Sequence, residues 1–174
     1  TVVQKQFAGV DVDFEYIIAS DRDLFTAFVA ELRGRMNESG RTVSVALAPK
    51  TSDDQPGLLY EGKDYAGLGA AADSVLLMTY EWGHAYSPPM AVAPVDQVRR
   101  VVEYAVSRID PAKINLGIPN YGYDWTLPFT EGAPRARTIG NIEAVQQAVE
   151  KGAEIYFDET AQAPYYFYVE DGVT

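Results

Sequence analysis

The stretch Phe7-Ala8-Gly9-Val10-Asp11-Val12-Asp13-Phe14-Glu15-Tyr16 sets three carboxylates at every second position, with Val10, Val12 and Phe14 filling the alternate ones. Side chains on a strand alternate faces, so in an extended run Asp11, Asp13 and Glu15 point one way, roughly 6–7 Å apart at about 3.3 Å of rise per residue. A parallel strand covered on both sides is apolar throughout, and three acids in such a strand are costly to bury. Acid–base chemistry is one reason to keep them. A half-exposed antiparallel strand with a solvated acidic face gives the same alternation. An EF-hand loop starting at Asp11 fails, because Tyr16 stands where Gly is required and Arg22 where the closing Glu is required. A magnesium-dependent Asp-x-Asp phosphate site stays open, although no glycine-rich phosphate loop follows it.

Working outward, Ser20-Asp21-Arg22-Asp23 reads as a helix start, and Leu24, Phe25, Phe28, Leu32 and Met36 recur at helical spacing up to Gly40. A strand is expected over Thr42 to Ala48, a short glycine-weakened helix over Tyr65 to Ala72 and a buried-type strand over Val75 to Tyr80. Pro94 opens a helix whose face is Val98, Val101, Val102, Ala105 and Ile109 and which Pro111 ends, and Ile114 to Pro119 forms the next strand. Short apolar strands alternating with helices argue for βα units in a parallel sheet, with four strands visible. After Thr126 the rhythm changes. Asn141 caps a helix with Ile142, Val145 and Val149 on one side, and Ala153 to Phe157 and Tyr165 to Val169 read as two strands. Two domains are expected, at residues 1–125 and 126–174.

Composition narrows the chemistry. No cysteine and a single histidine, His84, leave no thiolate or histidine-rich metal centre, so no metal and no cofactor are expected and carboxylates and tyrosines must carry the chemistry. Against 14 Lys and Arg stand 25 Asp and Glu, a net charge of −11 that repels nucleic acid and anionic lipid. Twelve tyrosines, many beside the motifs, offer apolar faces with polar tips, which suits a neutral ligand rich in hydroxyl and amide groups. No apolar run reaches the roughly 20 residues of a membrane span, and no basic region followed by an apolar stretch marks a signal peptide in the sequence as given.

The acidic stretch resembles the Asp-Gly-x-x-Asp-x-Asp-x-Glu-type signature of family-18 glycoside hydrolases, the chitinase-like enzymes. Leu76-Leu77-Met78-Thr79-Tyr80-Glu81-Trp82-Gly83 resembles the Met-Thr-Tyr-acid motif of their sixth strand, and Asn115-Leu116-Gly117-Ile118-Pro119-Asn120-Tyr121-Gly122-Tyr123-Asp124-Trp125 their seventh. Within the family, Met78 to Gly83, Tyr86-Ser87-Pro88-Pro89-Met90-Ala91-Val92 and the stretch from Ile155 to Tyr168 are most similar to the spore cortex-lytic and spore-germination branch.

The resemblance implies an α/β fold: part of a (β/α)8 TIM barrel, about strands 4 to 7, with a small α+β insertion toward the C-terminal end. It also implies that the chain starts inside strand four and stops before strand eight, so that the outer barrel strands would come from the rest of the protein. The implied activity is hydrolysis of β-1,4 bonds in N-acetylglucosamine-containing glycans, here spore cortex peptidoglycan, at the spore coat, cortex or cell wall. Of the site residues, Glu15 would be the general acid, Asp13 would hold the acetamide N–H of the sugar, Asp11 would stand behind it and Tyr80 would bond the acetamide carbonyl. Glu81, Trp82, Tyr86, Tyr121, Tyr123 and Trp125 would bind substrate. Ala8 stands where the signature has its first acid, which weakens the proton-sharing relay behind Asp11 and keeps open a rival reading as a non-catalytic glycan-binding or spore-coat protein.

Overall fold

The computed structural model describes residues 2–132 and 134–174. The chain divides into two compact units, one of residues 1–79 and 100–117, the other of residues 80–99 and 118–174.

The first unit is built on four parallel strands, β1 (Gly9–Val12), β2 (Thr42–Leu47), β3 (Ser74–Leu77) and β4 (Ile114–Leu116), side by side in chain order. Gly9 to Val12 pair with Thr42 to Val45, Ser44 to Leu47 with Ser74 to Leu77, and Val75 to Leu77 with Ile114 to Leu116. Parallel neighbours need a crossover, and α1 (Arg22–Asn37) and α2 (Tyr65–Ala71) supply the first two. The third connection contains α3 (Val95–Val106), within which the division between the units falls. The parallel pairing excludes the antiparallel strand that the acidic alternation also allowed. As a strand flanked on both sides should be, β2 is apolar inside: Val43, Val45, Ala46 and Leu47 are buried, and so are Val75 and Leu77 of β3. Phe25 and Val29 of α1 and Leu68 of α2 are buried as well, with α1 lying against β2 and α2.

Two local expectations are corrected here. The acidic run does not stay in the ladder: β1 ends at Val12, so Asp13, Phe14 and Glu15 lie past the strand. Phe14 turns instead onto α1, its ring 5.8 Å from those of Phe25 and Phe28. Ser20 does not cap α1. Its hydroxyl bonds Asp21, residues Ala19–Asp21 form a 3-10 turn, and the helix is rotated so that Phe25 and Val29 are buried while Leu24 and Phe28 face outward.

The second unit carries an unforeseen hairpin-like pair, β5 (Tyr121–Asp124) antiparallel to β6 (Arg137–Gly140), then α4 (Asn141–Glu150) and the antiparallel pair β7 (Ile155–Asp158) and β8 (Ala163–Tyr166). The cap of α4 is Gly140 rather than Asn141, which is the first helical residue. Ile142, Val145 and Val149 do share a side, but that side is exposed. Polar contacts orient the helix: Gln147 donates to Asp124 and to the Tyr168 hydroxyl, both at 3.1 Å, and accepts from Tyr166 at 2.6 Å, which turns Ala148 inward. β8 begins two residues earlier than the aromatic run suggests, and the run splits. Tyr166 and Tyr168 are half-buried and hydrogen-bonded, whereas Tyr165 and Phe167 are exposed.

Candidate functional site

In the first unit the candidate residues sit at the carboxyl end of β1, the end at which parallel βα folds place their chemistry. Asp11 is still on the strand, and its carboxylate accepts a hydrogen bond from the Ser44 hydroxyl of β2. Asp13 and Glu15 flank Phe14 on the exposed segment that follows. The three acids therefore do not form one stripe. Asp11 is tied sideways to the sheet, and only Asp13 and Glu15 project beyond it.

Beneath that segment lies a group that the sequence alone did not reveal. Lys63, only 1% exposed, donates a hydrogen bond to the Phe14 carbonyl and places its ammonium 4.6 Å from the centroid of the Phe25 ring. Burial pushes its pKa down to about 8, against the opposing pull of Asp13 and Glu15. A second buried lysine, Lys50, follows β2. Its ammonium donates to the backbone carbonyls of Lys63 at 3.0 Å and Asp53 at 3.1 Å, and its N–H to the hydroxyl of the buried Tyr65, which itself donates to the Ala48 carbonyl at 2.6 Å. The available signal was slight: Lys50 stands just after a strand and Lys63 just before a helix, both loop positions usually read as solvated surface.

In the second unit Glu81 is the hub. Its carboxylate accepts hydrogen bonds from the Tyr121 hydroxyl at 2.5 Å and the Tyr123 hydroxyl at 2.7 Å. Glu81 is held at φ 68°, in the left-handed region that a residue with a Cβ enters at some cost. The alternation along β5 puts Tyr121, Tyr123 and Trp125 on one side, where the rings pack in series with centroids 5.9 and 5.7 Å apart. The Trp125 indole donates to the Ser87 carbonyl at 2.9 Å, which anchors the far end of the series to the turn at His84–Ser87. Tyr86 is exposed on that turn, its N–H donating to His84 Nδ1 at 3.2 Å. Trp82 is half-buried, its N–H bonded to the Val92 carbonyl, and Tyr80, half-buried, directly precedes Glu81. Among the described residues, no group of three or more His, Cys, Asp or Glu is placed to hold a metal ion.

Burial and then the Glu81 carboxylate push both phenols up, Tyr123 to about 12 and Tyr121 further. Burial and Asp124 do the same to Tyr168, at about 12. A phenol whose pKa is raised on folding holds its proton better when folded, so its contribution to stability is complete below pH 10 and disappears as pH rises through the folded value. Alkaline titration followed by tyrosinate absorbance is therefore expected to show Tyr121, Tyr123 and Tyr168 protonated at pH 11, with stability falling between about pH 10 and 12. Complete ionisation of all tyrosines by pH 11 without loss of fold would contradict this.

Comparison with known proteins agrees with the sequence motifs. The family model for glycosyl hydrolases family 18 matches residues 1–173. A cortical fragment-lytic enzyme of Bacillus subtilis (strain 168) is 44% identical over 164 residues, covering 94% of this chain and 38% of that protein. Among solved structures, the Bacillus cereus spore cortex-lytic enzyme SleL is 38% identical at a TM-score of 0.95, over 99% of this chain and 40% of that one. A chitinase from Chromobacterium violaceum is 29% identical at a TM-score of 0.88, over 98% of this chain and 52% of that one. The chain thus spans about two fifths of the length of these curated cortex-lytic and sporulation-specific relatives, and its four parallel strands are part of the TIM-barrel fold that these enzymes share. With three motifs in order and a match along nearly its whole length, the chain belongs to family 18 of the glycosyl hydrolases.

Proposed function

We propose that this chain carries catalytic residues of a glycosidase that hydrolyses β-1,4 bonds next to N-acetylglucosamine in spore cortex peptidoglycan or its fragments. The observation that carries the reading is the placement of Asp13 and Glu15 just past the carboxyl end of a parallel strand, within the family's signature. The choice of cortex as substrate is supported by relatives named cortical fragment-lytic enzyme and spore cortex-lytic enzyme. The place of action would then be the spore cortex or wall. No helix among the described residues is long and apolar enough to cross a membrane.

In this mechanism Glu15 donates its proton to the leaving glycosidic oxygen while the 2-acetamido carbonyl oxygen of the substrate attacks C1 and the C1–O bond breaks. Asp13 accepts from the acetamide N–H, which orients the amide and offsets the positive charge that develops on it, and Asp11 supports Asp13 from the strand. Tyr80 donates to the acetamide oxygen. Glu15, now a carboxylate, takes a proton from water as that water attacks C1 and the bond between C1 and the acetamide oxygen breaks, and the two displacements together retain the anomeric configuration. The two-carboxylate scheme of most glycosidases does not apply, since the substrate supplies the nucleophile. Glu81, Trp82, Tyr86, Tyr121, Tyr123 and Trp125 bind the glycan, the aromatic faces stacking on sugar rings and the Glu81 carboxylate accepting from hydroxyls.

The test is the product. The complete protein incubated with cortex fragments or N-acetylglucosamine oligomers is expected to release a first-formed β-anomer by NMR and to be inhibited by a thiazoline mimic of the cyclised intermediate. An inverted first product would overturn the mechanism. Glycan binding without turnover, which Ala8 in the signature makes a specific concern, would overturn the enzyme reading in favour of a glycan-binding protein.

A further inference from the structure

Lys63 has a cost that the fold alone does not explain. An ammonium that is 1% exposed is expensive to bury, and holding one carbonyl in place requires only a neutral donor. Lysine stands there nonetheless, and the carbonyl it holds belongs to Phe14, the residue between Asp13 and Glu15. The groups around it are few. Asp13 and Glu15 act on its charge from the segment after β1, the Phe25 ring of α1 lies under the ammonium, and the Lys50 ammonium bonds the backbone carbonyl of Lys63 itself.

We propose that Lys63 is a positioning residue for the Asp13–Glu15 pair: its buried ammonium fastens the Phe14 carbonyl, fixes where the two flanking carboxylates project, and places a positive charge beneath them. This deepens the glycosidase reading and rests on it. Once Glu15 has given up its proton, the segment carries two negative charges two residues apart, and a cation under the intervening backbone offsets that charge where a neutral donor could not. The contribution arises as charge develops, so it belongs in kcat rather than in KM.

The experiment compares the complete wild-type protein with Lys63→Met and Lys63→Gln, which remove the charge and respectively discard or keep a hydrogen-bond donor. Both variants are expected to lose roughly 10–100-fold in kcat with KM within about threefold. Their thermal midpoints at pH 7 should stay level or rise by a few degrees, because a desolvated cation is gone. Wild-type stability should climb between about pH 8 and 10.5, where the unfolded chain binds the Lys63 proton and the folded chain does not, and that climb should be smaller in both variants. A purely structural lysine predicts the reverse, a lower midpoint with unchanged kcat in the molecules that remain folded. Wild-type kcat in either neutral variant would overturn the inference while leaving the glycosidase reading intact. Absence of turnover in the wild type would instead overturn that reading.

Discussion

Glu15→Gln in the complete protein is expected to lower kcat by about 10²–10⁴-fold while glycan affinity changes by less than about threefold, the range that positioned general acids contribute. At the middle of that range the loss corresponds to about 4 kcal/mol of transition-state stabilisation. The amide keeps the shape and exposure of the side chain but has no proton to give to the leaving oxygen. The backbone around it stays in place because the contacts that hold it, the Phe14 ring on Phe25 and Phe28 and the Phe14 carbonyl on Lys63, do not involve the Glu15 side chain. Asp13→Asn is expected to be severe as well, since the amide oxygen can still accept from the acetamide N–H but the negative charge that offsets the positive charge developing on the acetamide is gone. Steady-state kinetics on an N-acetylglucosamine oligomer, paired with calorimetric binding of the same oligomer, checks both. Glu15→Gln with activity within about twofold of wild type would remove Glu15 from the mechanism.

Much of this was legible in the sequence because the information is local. The four parallel strands follow from short apolar runs separated by helical periodicity, whereas the strand that lines up Tyr121 and Tyr123 carried no such signal. What could not be read depends on partners far along the chain. That two phenols converge on the Glu81 carboxylate is a contact across 40 and 42 residues. The end of β1 at Val12 was hidden because Asp13-Phe14-Glu15 continues the alternation, and only the α1 rings and Lys63 explain why the chain leaves the ladder there. Nothing in the sequence marks Lys50 and Lys63 for burial, which is intelligible only once the carbonyls that receive them are known. In β6, Arg137-Thr138-Ile139-Gly140 is too short and too mixed to carry a strand signal. The outward apolar side of α4 inverts the usual pattern because Gln147, rather than the valines, makes the contacts that set the rotation of the helix.

Gly62→Ala is expected to be the most damaging single-methyl change in the first unit. A Cβ at Gly62 would stand 2.1 Å from the Ile17 carbonyl oxygen and 2.6 Å from its carbonyl carbon, which is backbone and cannot rotate away. Either the segment carrying Asp13 and Glu15 lifts off or the loop bearing Lys63 retreats, and each undoes the same hydrogen bond between Lys63 and the Phe14 carbonyl. Overpacking of this kind costs about 3 kcal/mol, which in a domain of this size lowers the thermal midpoint by roughly 6–12 °C. Activity should fall further than the folded fraction does, because Glu15 directly follows the residue whose carbonyl is displaced and a misplacement of about 1 Å costs on the order of a hundredfold. The control is Gly34→Ala, in the exposed part of α1, where a Cβ meets nothing within 4 Å. That change is expected to raise stability by roughly 0.5–1 kcal/mol through helix propensity, with kcat untouched. Urea denaturation of the three proteins, with kcat normalised to the folded fraction, decides the matter. Equal midpoints for wild type and Gly62→Ala would mean that the close approach between residues 62 and 17 does not constrain the acidic segment, and that Glu15 is not pinned from that side.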